Sequence, residues 1–230
     1  MFWRVSMKED LVIAIDGPAG AGKSTIARLV AEKLGYLYIN TGAMYRAVTW
    51  QALQEGTDLE DEDALVELAK RCEVSFRNNG SSVILNGLDV SKQIRFPEVD
   101  RSISTVVKFP RVREIMVQQQ QRMGQTGRVV SEGRDVTTIV FPNAHVKIYL
   151  DASLSERARR RHRELIEKGH KLDPIQVRED TARRDKADKT REHGPLRVAP
   201  DAVIVDTTDM TIEQVVEEIV TIVERRTHGS

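Results

Sequence analysis

The chain has 230 residues, 40% hydrophobic and 30% charged, and its 35 Lys and Arg balance its 35 Asp and Glu. That composition suits one ordinary core carrying at most a small inserted module, and it excludes a disordered chain or a duplex-DNA binder driven by overall positive charge. Cys72 is the only cysteine, which excludes an intrachain disulfide and a cysteine-clustered metal site and leaves a small buried hydrophobe as its ordinary role.

The balance of charge is not uniform. Between Glu156 and Arg197 there are 14 Lys and Arg against 9 Asp and Glu, whereas Glu55 to Asp63 holds six acids and no base. One region is therefore suited to a polyanion without the whole chain being basic. The opening Met-Phe-Trp-Arg-Val-Ser lacks the apolar run of a signal peptide, Met7-Lys8 offers an alternative start, and no later segment approaches a transmembrane span. The expected location is cytoplasmic, with no membrane partner.

Leu11 to Asp16 is apolar and rich in β-branched residues and predicts a buried strand. Ser24 to Leu34 predicts a helix, Tyr36 to Ile39 a short strand, and Thr41 to Leu53 a second helix with Thr41 as its N-cap. Glu73–Arg77 and Ser82–Asn86, joined by Asn78-Asn79-Gly80, predict an antiparallel hairpin in a small inserted module. Buried strands follow at Arg128–Ser131, His145–Leu150 and Ala202–Val205, with helical patterns from Leu154 to about Lys168 and from Ile212 to Glu224. Pro174 to Arg191 is helical by pattern but very polar, and Gly194-Pro195 stops it. Strands alternating with helices imply an α/β fold, a mostly parallel sheet covered on both faces.

Gly17-Pro18-Ala19-Gly20-Ala21-Gly22-Lys23-Ser24-Thr25 matches the phosphate-loop pattern G-x-x-x-x-G-K-S and lies between a predicted strand and a predicted helix. Glycines let successive backbone N–H groups turn toward phosphates, and the helix N-terminus adds a favourable dipole. Lys23 then reaches the β- and γ-phosphates of ATP, while the Ser24 hydroxyl coordinates Mg²⁺. Neither the Asn-Lys-x-Asp element of ordinary GTPases nor the Leu-Ser-Gly-Gly-Gln of transporter ATPases occurs. Asp16, at the end of the first strand, fits indirect support of the magnesium shell and equally a strand-end cap.

Gly133-Arg134-Asp135 follows the third parallel strand directly, where loops at the carboxyl ends of strands form ligand crevices. Arg184, Asp188 and Arg191 are spaced to share one helix face, which suits either a self-contained salt-bridged surface or a phosphate clamp. Arg157, Arg159, Arg160, Arg161 and Arg163 form a basic cluster without interleaved aromatics, so a nucleic-acid stacking platform is not expected. Arg157 and Arg161, one turn apart, are the pair expected to approach ATP.

Taken in order, Ile13-Ala14-Ile15-Asp16 with the phosphate loop, Asn40 to Arg46, Ser104, Phe109 to Arg113, Glu132 to Asp135, Ala182 to Asp185 with Asp188 and Arg191, Pro195-Leu196 and Ala199 to Ala202 resemble bacterial cytidylate kinases, of the nucleoside monophosphate kinase group. The resemblance implies a P-loop kinase fold with a five-stranded parallel sheet, helices on both faces, a small antiparallel inserted module and a short lid. It implies one domain, with core at 11–60, 101–155 and 198–230, a monophosphate-binding insert at 61–100, and a lid with flanking helices at 156–197. The implied activity is transfer of the γ-phosphoryl of ATP to CMP or dCMP. Arg46, Arg134 and Arg191 then act on phosphate; Ser104, Arg113 and Asp135 on the base; Arg184 and Asp188 on the sugar; Thr41 also belongs to the acceptor set. The expected partners are small molecules alone, with no stable nucleic-acid partner and a monomeric chain. Other P-loop kinases, acting on adenylate, uridylate or shikimate, and a nucleotide-dependent RNA-binding protein are the competing readings.

Overall fold

The computed structural model describes residues 10–167, 169 and 172–228. The alternative start at Met7-Lys8 and the expected helix end at Lys168 lie outside those residues. In chain order the first elements are β1 (Val12–Asp16), α1 (Lys23–Leu34), β2 (Leu37–Asn40), α2 (Thr41–Glu55) and α3 (Glu62–Arg71). β3 (Val74–Arg77), β4 (Ser82–Leu85), β5 (Leu88–Asp89), α4 (Pro97–Val106) and α5 (Pro110–Gly124) follow. The remainder comprises β6 (Val129–Gly133), β7 (Val146–Asp151), α6 (Leu154–Glu167), α7 (Pro174–Thr190), β8 (Val203–Asp206) and α8 (Ile212–His228). None of the described helices is long and apolar enough to cross a membrane.

The expected sheet forms: five parallel strands in the order β2-β6-β1-β7-β8, flanked by helices. Ile13, Ala14 and Ile15 of β1 are wholly buried, as strands covered on both faces require. The chain separates into two compact units, one of Ala31–Glu132 with the described residues up to Val12, the other of Ile13–Val30 with the residues from Gly133 onward.

The first unit contains the antiparallel module. β3 pairs with β4 from Val74↔Leu85 to Arg77↔Ser82, and β5, a strand the sequence pattern did not predict, adds to β4 at Leu85↔Leu88. Asn78, Asn79 and Gly80 all take positive φ, the turn geometry that Asn and Gly tolerate best. At Gly80 a Cβ would stand 2.5 Å from the Tyr38 carbonyl oxygen, so the hairpin tip sits against β2 too closely for a side chain. Gly80→Ala is expected to cost about 1–3 kcal/mol through strain and displacement. Urea unfolding measures it, and a midpoint equal to that of the parent contradicts the assignment.

Met44 and Val48 of α2, Leu65 and Leu68 of α3, Val83 and Leu85 of β4, and Met116 of α5 form the core of this unit, with Cys72 buried among them. Asp61 caps α3, with Glu62 and Asp63 in its first turn and Lys70 and Arg71 in its last, each sign at the end where the helix dipole favours it. Pro97 and Pro110 begin α4 and α5, a position where the missing N–H costs nothing. In the second unit β1 pairs with β7 and β7 with β8, all in parallel register.

Candidate active site

In the second unit the phosphate loop joins β1 to α1, and the helix begins at Lys23. Gly17, Gly20 and Gly22 take positive φ, and a Cβ on Gly20 would meet the Arg157 carbonyl oxygen at 3.0 Å and the Arg157 Cβ at 3.1 Å. The loop is thereby seated on the first turn of α6. Lys23 is buried and donates from Nζ to the Pro18 carbonyl at 2.7 Å, within its own loop. The Ser24 hydroxyl stands at the exposed N-terminal turn of α1.

Asp16 is fully buried, and its carboxylate accepts from Val136 N at 2.9 Å, Thr137 N at 2.7 Å and Thr137 Oγ1 at 2.6 Å. Of the two roles open to Asp16, the geometry favours the cap: it holds the single π-helical turn Val136–Val140 that follows Arg134-Asp135. Burial pushes its pKa up to about 6, with the Asp135 charge adding to that rise, against the bonds from Thr137 and Val136 that lower it. Because the folded chain holds this proton more tightly than the unfolded one, the contribution of Asp16 to stability falls as pH rises from about 4 through 6. Between pH 4.5 and 7 the loss attributable to Asp16 is about 2 kcal/mol. Denaturant unfolding at both pH values, in the parent and in Asp16→Asn, should show a smaller pH-dependent fall in the variant; equal falls contradict it.

The loop after β6 carries the next group. Asp135 is buried, and Arg134 donates from Nε to Asp188 of α7 at 2.6 Å. Arg191 lies 3.5 Å from Asp135 and donates from Nε to the Gly194 carbonyl. Four of the expected acceptor residues thus meet as two arginine–carboxylate pairs. Arg184 is exposed on α7. Arg191 is not on the helix face expected for it: α7 ends at Thr190, and Arg191 is its extended C-cap, with φ −62° and ψ 144°. The chain turns there because Gly194-Pro195 lies just beyond, and this turn aims the arginine back at Asp135.

The five clustered arginines divide by environment. Arg159 and Arg160 pair with Glu156, Arg160 also donates to Thr207 Oγ1, and Arg161 pairs with Glu164 at 2.8 Å. The grip of Arg159, and after it Arg160, holds the Glu156 carboxyl at about 2, well below the usual carboxylate range. Arg157 alone among the five is buried: it donates to the carbonyls of Ala152 at 2.9 Å and Ala19 at 3.0 Å and pairs with Asp185 at 2.6 Å.

The first unit carries the remaining expected residues. Thr41 is not the N-cap of α2; Asn40 is, its side-chain oxygen accepting from Ala43 N at 2.7 Å. Thr41 is already helical, and its hydroxyl donates to the Glu132 carbonyl at 2.9 Å. Arg46 pairs with Asp100 at 2.5 Å and donates to the Ile94 carbonyl at 3.3 Å. Arg113 is buried with its guanidinium 5.6 Å from the Tyr45 ring centroid, a cation–π contact, while Ser104 is exposed on α4. Asp100, Tyr45 and the buried Glu132, which accepts from Tyr38 at 3.2 Å, were not singled out by the sequence. Glu132 and Asp185 stand inside motifs already recognised there, but nothing in the local pattern marks Asp100 as the partner of Arg46.

The sequence pattern of cytidylate kinases matches residues 13–225. The chain belongs to the cytidylate kinase family. A cytidylate kinase of Bacillus subtilis (strain 168) is 50% identical over 222 residues, covering 96% of this chain and 99% of that one. A cytidylate kinase of Geobacillus kaustophilus (strain HTA426) is likewise 50% identical, with the same coverage. An uncharacterized protein from Eubacterium ventriosum ATCC 27560 shares the fold with a TM-score of 0.50 at 13% identity, over 94% of this chain and 99% of that one. Membership in this kinase family makes the chain a phosphotransferase.

Proposed function

We propose that the chain phosphorylates CMP and dCMP to CDP and dCDP by direct in-line transfer of the γ-phosphoryl group of ATP, acting as a single P-loop kinase domain. The observation that carries this reading lies in the second unit. A phosphate loop is accompanied there by two arginines, Arg134 and Arg191, held by the carboxylates of Asp188 and Asp135. Family membership supports cytidine as the base.

Lys23 exchanges the Pro18 carbonyl for the β- and γ-phosphate oxygens. Arg134 and Arg191 exchange carboxylates for phosphate, a dianion whose oxygens match the planar guanidinium fork. Those exchanges release Asp135 to accept from the N4 amino group of cytosine and Asp188, with Arg184, to meet the sugar. Uracil offers an oxygen where cytosine offers that amino group, so a carboxylate at position 135 opposes it. Arg46 is assigned to the acceptor phosphate, Arg113 and Ser104 to the base, and Thr41 to the same set. Arg157 serves ATP through the loop it holds, and Arg161 by exchanging its exposed Glu164 partner. The acceptor oxygen is already anionic near neutral pH, so no general base is needed; alignment, charge neutralisation and exclusion of water supply the rate.

Mg²⁺ keeps several waters and is bound largely through substrate phosphates, so the exposed Ser24 hydroxyl at the start of α1 is a fitting protein share. When bound, it neutralises charge on the β- and γ-phosphate oxygens. The segment 156–197 supplies the lid with its flanking helices, and the enzyme works as a cytoplasmic monomer on small molecules, without a nucleic-acid partner. ADP formation with CMP, dCMP, UMP and AMP as separate acceptors tests the assignment. CMP and dCMP should lead clearly; an equal or greater rate with UMP or AMP rejects cytidine specificity.

A further inference from the structure

A buried arginine is an expensive way to fill space. Replacing a buried ion pair with well-packed apolar residues is often neutral or stabilising, so burial alone does not account for Arg157 and Asp185. What distinguishes the pair is what it joins. Arg157, in the first turn of α6, spends its guanidinium on the Ala152 carbonyl, on Asp185 and, at 3.0 Å, on the carbonyl of Ala19 inside the phosphate loop. Gly20, the next loop residue, packs against the backbone of Arg157 closely enough to leave little room for a side chain. Asp185 lies on α7, directly after Arg184 and one turn before Asp188. Its Oδ2 holds Arg157, while its Oδ1 is buried with no hydrogen-bond partner among the described residues. The loop that faces the donor phosphates is therefore tied by one side-chain pair to the helix carrying Arg184 and Asp188.

We infer that Arg157 and Asp185 are positioning residues that couple the phosphate loop to α7, so that ATP and CMP each strengthen binding of the other through this pair. The inference rests on the reading above of α7 as the acceptor helix. Engagement of Arg184 and Asp188 by the acceptor fixes α7, and with it Asp185. Asp185 then fixes the fork of Arg157, which holds the Ala19 carbonyl turned away so that neighbouring loop N–H groups face the phosphates. Linkage makes the effect reciprocal: whatever factor ATP adds to CMP affinity, CMP must add to ATP affinity. The connection needs the guanidinium fork, because a lysine ammonium lacks the planar spread that reaches two carbonyls and a carboxylate together.

The test is calorimetric. CMP affinity is measured with and without a saturating non-hydrolysable ATP analogue, and the analogue's affinity with and without CMP, in the parent, Asp185→Asn and Arg157→Lys. The parent should show at least about fivefold mutual strengthening, within the usual range for coupled sites. Both variants should bring that factor to between one and two, and Asp185→Asn, which alters no residue assigned to either ligand, should do so with single-ligand affinities within about threefold of the parent. Thermal unfolding checks the fold, and if Asp185→Asn fails to fold, Arg157→Lys decides. A parent that binds both ligands without mutual strengthening overturns the inference. So do folded variants that keep the parental factor, including variants that melt earlier but retain it, which marks the pair as structural only. A parent that does not bind CMP at all overturns the acceptor reading, and the inference falls with it.

Discussion

Lys23→Ala is expected to leave the fold intact and to lower kcat by at least about 10²–10³-fold, the usual cost of removing one pre-aimed charge from a transferring group. The lysine is buried at the end of the phosphate loop, where its ammonium donates to the Pro18 carbonyl. Its removal takes the donor from that backbone oxygen, a small loss beside the charge it withdraws from the phosphates. The same ammonium aimed at the γ-phosphate acts where negative charge redistributes as the bond to the leaving oxygen breaks. Stability and turnover should therefore part company: a small change in melting temperature with a large change in kcat. Steady-state kinetics with saturating ATP and Mg²⁺, alongside thermal unfolding, measure both. Turnover near that of the parent in the folded variant removes Lys23 from the mechanism.

Asp135→Ala is expected to reduce the preference for CMP over UMP by roughly 10- to 150-fold, equivalent to losing a charge-assisted hydrogen bond of about 1.5–3 kcal/mol. Asp135 is buried at the end of β6 and faces Arg191 at 3.5 Å. Truncation has two effects with different signatures. Under the proposed base-reading role it removes the acceptor for the cytosine amino group, which changes the CMP to UMP ratio, and it takes a competing carboxylate from Arg191, which acts on every monophosphate alike. Arg134→Ala shows the second kind of effect only, depressing use of all acceptors, because phosphate is common to them. The quantity to compare is kcat/KM for CMP and UMP in the parent and both variants. An unchanged ratio in Asp135→Ala removes the base-reading role and leaves a general phosphate clamp.

β1 was readable because it is buried on both faces and so appears as an unbroken apolar run rich in β-branched residues: Leu11 to Asp16 predicts it to within one residue. The hairpin was readable because Asn78-Asn79-Gly80 has residues that accept positive φ in sequence. α5 was not, since its buried positions include Arg113, Gln119 and Gln120 beside Val112 and Met116, which erases the apolar period. α3 was hidden for a related reason: the acidic run before it looks like a solvated patch, whereas Asp61 is the cap and Glu62 and Asp63 are its first turn. The site divides in the same way. Residues within contiguous motifs, the phosphate loop and Gly133-Arg134-Asp135, were legible from local pattern. Partnerships between distant segments, such as Arg134 with Asp188, Arg46 with Asp100 and Arg157 with Asp185, depend on how the chain returns on itself. Helical spacing even misplaced Arg191, because a period of three or four residues does not register that the helix has already ended.

Transfer of label from ATP to the acceptor separates a cytidylate kinase from an ATP hydrolase. The chain is incubated with γ-phosphate-labelled ATP, Mg²⁺ and CMP, and the labelled products are separated during the first turnovers. Label should appear in the β-phosphate of CDP in equal amount to the ADP formed, with little inorganic phosphate. Label released as inorganic phosphate at a rate indifferent to CMP contradicts the account, for the chain would then be an ATP hydrolase.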